Sequence, residues 1–207
     1  MIDVREFIMM DGMCIVAIVL AGMPGSGKSV FSEIARDQGF EVYVMGDVIR
    51  GELIRRGMQI TRENMAYMAR ELRRLYGEDI IARRIAEEIL ARSTRGVSGC
   101  RYVVIDGSRS LAELEFFKKR FSSVVLVAIH ASPLTRYRRL VSRGREGDPR
   151  AWDEFAARDA LELSMGLGSL IAIADIMVVN ENIDLESFRR TVSNVLEYIK
   201  TRWRCSC

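Results

Sequence analysis

Proline is scarce: Pro24, Pro133 and Pro149 are the only three in 207 residues. No Pro-rich linker divides the chain, so one domain of ordinary size is expected, with room for a small inserted lobe. Histidine occurs once, as His130 at the end of an apolar run. That position suits a core or rim residue better than a catalyst. The four cysteines (Cys14, Cys100, Cys205 and Cys207) follow no zinc-ligand spacing. They are expected to be reduced thiols, the isolated ones buried as small hydrophobes. Aromatic residues make up 8% and are scattered, so no stacking platform for single-stranded nucleic acid is evident. A strong charge of one sign is also missing. The formal net charge of +3 is too balanced to argue for nucleic-acid binding. Long apolar runs are absent as well. The stretch Met13–Met23 is too short to span a bilayer and leads directly into a glycine-rich loop. A cytoplasmic protein with no membrane partner is expected, with residues 1–12 as an extension.

What the chain does have is arginine, 27 residues against four lysines. The guanidinium presents a rigid fork of donors that matches phosphate oxygens. The hydrophobic fraction of 49% is that of a globular protein with a real core. Five apolar, β-branched runs predict strands at Cys14–Ala21, Glu41–Met45, Tyr102–Ile105, Ser123–His130 and Asp175–Asn180. Most lack strict alternation, as strands buried on both faces of a parallel sheet do. Helical spacing predicts helices over Ser29–Gln38, Glu63–Ser93 (interrupted at Gly77), Leu111–Arg120, Leu134–Arg143, Trp152–Ala174 and Leu185–Arg202. Strand and helix alternate, and the pattern G-x-x-x-x-G-K-[ST] at residues 22–29 follows the first strand, so the expected fold is α/β: a P-loop NTPase three-layer fold with a five-stranded parallel sheet. More than fifty residues separate the second and third strands, too many for one crossover helix. This predicts a helical insert around residues 50–100. A short Arg-rich lid is expected around residues 138–158.

Residues 22–29 read Gly22-Met23-Pro24-Gly25-Ser26-Gly27-Lys28-Ser29 and match the pattern G-x-x-x-x-G-K-[ST] in full. An apolar strand precedes them and a helix follows. Glycines let the backbone fold around phosphate oxygens, and successive N–H groups form an anion nest. The helix N-terminus adds its positive dipole end. Lys28 brings a charge to the β- and γ-phosphates, and the Ser29 hydroxyl is placed for Mg²⁺. The motif therefore predicts binding of ATP with Mg²⁺.

Other candidates cluster at strand ends, where ligands bind in open parallel sheets. Asp47 and Arg50, one helical turn apart after the second strand, offer a carboxylate and a guanidinium to an acceptor; the bland alternative is a helix cap with a surface arginine. Asp106 ends the third strand and is the candidate second metal ligand, with Arg109 in reach of phosphate. Arg136, Arg139 and Arg143 share one helix face after the fourth strand. Like charges so stacked repel, which suggests an anion beside them. Arg158 is the matching candidate beyond the lid. The predicted roles are catalysis for Lys28, Asp47, Asp106, Arg139 and Arg143, and acceptor binding for Asp47, Arg50, Arg109 and Arg158.

These motifs resemble known families. Gly22–Ser29 looks like the P-loop of nucleoside monophosphate kinases, which also carry a Gly-Asp-x-Leu-Arg segment similar to Gly46–Arg50 and an Arg-x-x-x-Arg pair similar to Arg139 and Arg143. Ala174–Asn180 resembles a segment of dephospho-coenzyme A kinases that runs beside the adenine, which implies a nucleotide contact for Asn180. From Ile15 onward the chain most resembles archaeal adenylate-kinase-related P-loop proteins of unassigned function, which share the loop sequence, an Arg-x-x-Tyr-Gly like Arg73–Gly77 and an Asp-Gly-x-Arg-Ser like Asp106–Ser110. Adenylate kinases have Asp-Gly-Phe-Pro-Arg where this chain has Arg109 three residues after Asp106 and no proline. The resemblance implies a kinase that moves the γ-phosphoryl group of Mg-ATP to a nucleotide-like small molecule. A dephospho-coenzyme A-type kinase and a nucleotide-dependent switch or RNA-associated ATPase stay open as alternatives.

Overall fold

A computed structural model describes residues 13–92 and 99–203. The expected extension at residues 1–12, together with Cys205 and Cys207, lies outside the described residues. The chain runs β1 (Met13–Ala21), α1 (Lys28–Asp37), β2 (Glu41–Val44), α2 (Met45–Arg55), α3 (Arg62–Tyr76), α4 (Ile80–Ala91), β3 (Gly99–Asp106), α5 (Leu111–Arg120), β4 (Ser123–His130), α6 (Pro133–Arg143), α7 (Trp152–Ser164), α8 (Leu167–Ala172), β5 (Ile176–Val179) and α9 (Leu185–Arg202).

The five strands form one parallel sheet in the order β2-β3-β1-β4-β5. β1 lies at the centre, and Val16 through Ala21 are wholly inaccessible to solvent. Val16, Ile18 and Leu20 face one side, where they meet Phe31 and Ile34 of α1 and Phe188, Val192 and Leu196 of α9. Ala17 and Val19 face the other, toward Ile49 and Leu53 of α2, Ile81 and Ile85 of α4, Leu114 and Phe117 of α5 and Leu170 of α8. Burial on both faces explains why the strands read as continuous apolar runs. Each fully buried Val, Leu or Ile contributes roughly 1.5–3 kcal/mol, so β1 anchors the sheet on which the rest is built.

The helical stretches expected over Glu63–Ser93 and Trp152–Ala174 are each divided in two at a glycine, the first at the expected interruption. Gly77 (φ 100°) separates α3 from α4, and Gly166 (φ 98°) separates α7 from α8. Both backbones turn through a region that side chains other than hydrogen rarely occupy. Side-chain oxygens of Thr61, Ser110, Ser132 and Asp184 cap α3, α5, α6 and α9 by accepting from the backbone N–H three residues on.

The expected reduced thiols are corrected at two positions. Cys14 and Cys100 stand directly opposite each other in the β1–β3 register and are disulfide-bonded. Nothing in their sequence spacing shows this, because the pairing follows from strand order.

A buried carboxylate ties α2 to α4. Glu52 is 4% exposed and accepts from Arg55, Arg56 and Arg84 at 2.6, 2.6 and 3.1 Å. Hydrogen bonding from Arg55 first, then from Arg56 and Arg84, lowers its pKa to about 2 against the cost of burial. The folded pKa lies below the unfolded value, so this stabilisation is present at neutral pH and is lost as pH falls from about 4.5 to 2. Glu52→Gln is expected to lower Tm at pH 7 and to flatten the loss of stability over that acid range. A variant with the wild-type acid profile would show that Glu52 is not the group responsible.

Candidate functional site

The glycine-rich loop leaves the C-terminal end of β1, the central strand, and feeds α1. Gly25 (φ 81°) and Gly27 (φ 116°) adopt left-handed conformations. A Cβ at Gly25 would lie 2.9 Å from the Arg136 carbonyl oxygen, and one at Gly27 would lie 2.5 Å from Asn180 Nδ2. The loop is thus wedged between α6 and the segment after β5, and glycine is required on two counts.

Lys28 Nζ donates to the carbonyls of Gly22 (2.5 Å) and Met23 (3.3 Å). Burial lowers its pKa; the Asp106 carboxylate, and then Glu162, pull it back up, while Arg109 and Arg158 oppose them. These five side chains therefore share one electrostatic neighbourhood. Asp106, at the end of β3, accepts through Oδ2 from the Ser32 hydroxyl on α1 at 2.9 Å. Its Oδ1 has no hydrogen-bond partner among the described residues.

A cavity of about 340 Å³ opens over the loop. Of the sequence candidates, Gly22, Pro24, Gly25, Gly27, Lys28, Ser29, Asp106, Arg109, Arg139, Arg143 and Arg158 line it. Met23 and Ser26 are buried beneath it. Asn180 borders an adjoining cavity of about 280 Å³, which shares Gly27, Val30 and Arg139 with the first and adds Asp184, Leu185 and Phe188. Asn180 is 5% exposed. Its Nδ2 donates to the Ser26 carbonyl at 2.8 Å, and its Oδ1 accepts from Arg139 Nη2 at 3.1 Å. It joins β5, the loop and the arginine of α6. Two buried atoms here lack any partner among the described residues: Ser26 Oγ and Arg139 Nη1. An unsatisfied buried donor on an arginine facing a cavity is a place for an anion.

Asp47 and Arg50 do not line the cavity. They sit exposed on α2 and pair with each other. The arginine face expected on α6 also divides. Arg136 is buried, donates to the carbonyls of Ala131 (3.0 Å) and Pro24 (3.3 Å), and forms a bidentate pair with Asp159 of α7. Its guanidinium also lies 5.0 Å from the centre of the Phe155 ring. It ties the loop to α7. Arg139 and Arg143 alone reach the cavity. Arg143 is held by both oxygens of Asp148 at 2.8 and 2.6 Å, and Arg158 approaches the same carboxylate at 3.5 Å.

Three acidic residues in this network were not foreseen. Glu162, 8% exposed and one helical turn beyond Arg158 on α7, lines the cavity and binds Arg109 at 2.7 and 3.3 Å. Glu113, fully buried at the start of α5, accepts from the Arg109 backbone N–H (2.8 Å), the Ser108 hydroxyl (3.2 Å) and Arg73 of α3 (2.8 Å). It sets the loop that carries Arg109. Asp148 is the third. The i, i+4 spacing of Arg158 and Glu162 was a legible signal that both face one way; the pairing of Glu113 with Arg73 is set by tertiary packing, while Asp148 closes a local turn on Arg143 and Arg145.

A central parallel strand, a phosphate-type glycine loop and a following helix, with helices on both faces of a five-stranded sheet, define a P-loop NTPase fold. Residues 21–156 match the AAA domain family, and this fold and loop support ATP binding. More closely, the chain belongs to the UPF0200 proteins. It is 49% identical over 180 residues to the UPF0200 protein of Staphylothermus marinus, covering 87% of this chain and 90% of that one. It is 48% identical over 187 residues to that of Hyperthermus butylicus, covering 90% and 96%. Among solved structures, a shikimate kinase from Bacteroides thetaiotaomicron superposes with a TM-score of 0.56 at 18% identity, over 89% of this chain and 98% of that one. The likeness is one of fold. No helix among the described residues is long and apolar enough to cross a membrane.

Proposed function

We propose that the protein transfers the γ-phosphoryl group of Mg-ATP to a small, nucleotide-like acceptor. The observation that carries this reading is the convergence of Lys28, Asp106, Arg139, Arg143 and Arg158 on one cavity at the mouth of the glycine loop. Phosphoryl transfer asks the protein chiefly for positioning and for positive charge around the transferring group. The loop backbone and Lys28 hold the β- and γ-phosphates. The orphaned Arg139 Nη1 takes a phosphate oxygen, and the adjoining cavity beside Asn180 receives the nucleoside. The partnerless Oδ1 of Asp106 and the cavity-lining Ser29 hydroxyl form an oxygen pair that suits Mg²⁺, which keeps several waters when bound by few protein ligands. When bound there, the metal supplies charge neutralisation to the phosphate oxygens. Asp106 is held in place for this by Ser32. Asp47 and Arg50, outside the cavity, serve the acceptor only if α2 moves toward the loop.

ADP release from Mg-ATP with AMP, CMP, UMP, GMP and dephospho-coenzyme A tests the proposal. Stimulation by orders of magnitude with one of them supports it; a slow hydrolysis indifferent to every small molecule overturns it. Arg143→Ala is expected to depress the transfer rate by about 10²-fold, the order lost with one electrostatic donor, while Tm moves by only a few degrees. A normal rate with a lowered Tm would make Arg143 a structural partner of Asp148 instead.

A further inference from the structure

Part of the cavity lining carries charges arranged unlike those of a phosphate clamp. Arg109 and Glu162 meet there in a two-point ion pair, with Arg109 fixed from behind by Glu113. The pair cancels its own charge. Among the described residues Arg158, one turn earlier on α7, has no such close pair: it approaches Asp148 at 3.5 Å, whose oxygens both bind Arg143 more closely. Arg158 is partly buried, and Arg62 of α3 repels it while Glu162 and Asp148 attract it. A partly buried guanidinium whose nearest carboxylate is distant and shared has donors left for an anion. Beside it stands the Glu162 carboxylate, which pairs with Arg109 and retains unused acceptor lone pairs, since a carboxylate offers about four. Phosphate oxygens are repelled by that carboxylate, whereas a hydroxyl donates to it.

We infer that Arg109, Arg158 and Glu162 form the acceptor subsite, and that it takes an anionic small molecule through a hydroxyl group: Arg158 binds the anionic group and Glu162 accepts the hydroxyl hydrogen bond. This rests on the phosphotransfer reading above and narrows it, because the nucleophile becomes an alcohol oxygen rather than a phosphate oxygen. In the step itself, the acceptor oxygen forms a bond to the γ-phosphorus as the bond from that phosphorus to the β,γ-bridging oxygen breaks. The acceptor proton passes to Glu162, and ADP departs with the bridging oxygen. Asp106 is not available for this task, since its oxygens serve Ser32 and, in the reading above, the metal. Asp47 lies outside the cavity.

The experiment uses the full-length protein and four sets of probes: anions with hydroxyls (shikimate, gluconate, dephospho-coenzyme A), hydroxyl-free anions (succinate, benzoate), neutral polyols (ribose, inositol) and mononucleotides. ADP release is followed with Mg-ATP, and products are assigned by ³¹P NMR. In parallel, Tm is measured with saturating Mg-ADP and each probe, a readout independent of transfer. One hydroxylated anion is expected to raise ADP release and to yield a phosphomonoester. Arg158→Met is expected to raise its KM by at least about tenfold with kcat little changed, whereas Glu162→Gln lowers kcat by about 10²–10⁴-fold, the range of general-base catalysis, with KM little changed. Glu162→Asp, which keeps the carboxylate, should recover part of the rate. A hydroxylated anion that raises Tm in the wild type but not in Arg158→Met, without any ADP release, upholds the subsite and sinks the transfer reading alone. Equal stimulation by neutral polyols, a diphosphate product from a mononucleotide, an unchanged kcat in Glu162→Gln, or no response in rate or Tm to any probe overturns the inference.

Discussion

Lys28→Ala is expected to lose about 10²–10³-fold in nucleotide turnover, the order associated with removing one preorganised charge donor, while the protein stays folded. The structure separates the two effects. Among the described residues Lys28 Nζ hydrogen-bonds only to the carbonyls of Gly22 and Met23, and burial lowers its pKa. A lysine whose folded pKa is below its unfolded value binds its proton less tightly in the fold, so its charge opposes folding at every pH below that folded value. Removing it should leave Tm unchanged or raise it. A site residue that is neutral or costly for stability is what a functional charge looks like. Calorimetry and an ADP-release assay on the same preparation check both halves. Unchanged turnover contradicts the role of the loop, and a large fall in Tm contradicts the account of the charge.

Reduction of the Cys14–Cys100 bridge should give the largest change in stability. The bond closes a loop of roughly 85 residues, for which chain entropy predicts about 4.5 kcal/mol of stabilisation. In a chain of this size that is on the order of 10–15 °C in Tm. The bridge joins the N-terminal ends of β1 and β3, and the glycine loop leaves the opposite end of β1. Turnover measured well below the transition should therefore be the same in the presence and absence of a reductant. The Cys14→Ser/Cys100→Ser protein should match the reduced wild type in Tm and no longer respond to the reductant. Equal Tm values for oxidised and reduced wild-type protein would show that the two sulfurs are not joined in solution.

The sheet was legible because burial on both faces leaves a mark on local composition: apolar β-branched runs of the right length, bounded by turns. The glycine loop was legible because its conformation demands glycine at fixed spacing. What escaped the sequence was pairing at a distance. Arg136 and Arg143 lie on the same α6 face by spacing, yet Asp159, 23 residues on, claims the first, while Asp148, five residues on, claims the second through the turn after α6. Asp47 carried the chemistry expected of an acceptor carboxylate, but the start of α2 leaves it exposed and paired with Arg50. Glu162 instead lines the cavity and pairs with Arg109, 53 residues earlier in the chain, a tertiary pairing that no window of sequence contains. The disulfide escaped for the same reason, since only the β1–β3 register sets Cys14 against Cys100.

The most direct test of the central claim follows the label from [γ-³²P]ATP through the wild-type protein with a panel of small acceptors. The account predicts that the label appears in one small organic acceptor, in step with ADP, and that Lys28→Ala lowers both by about 10²–10³-fold. Label recovered only as inorganic phosphate, at a rate that no acceptor alters, would contradict it.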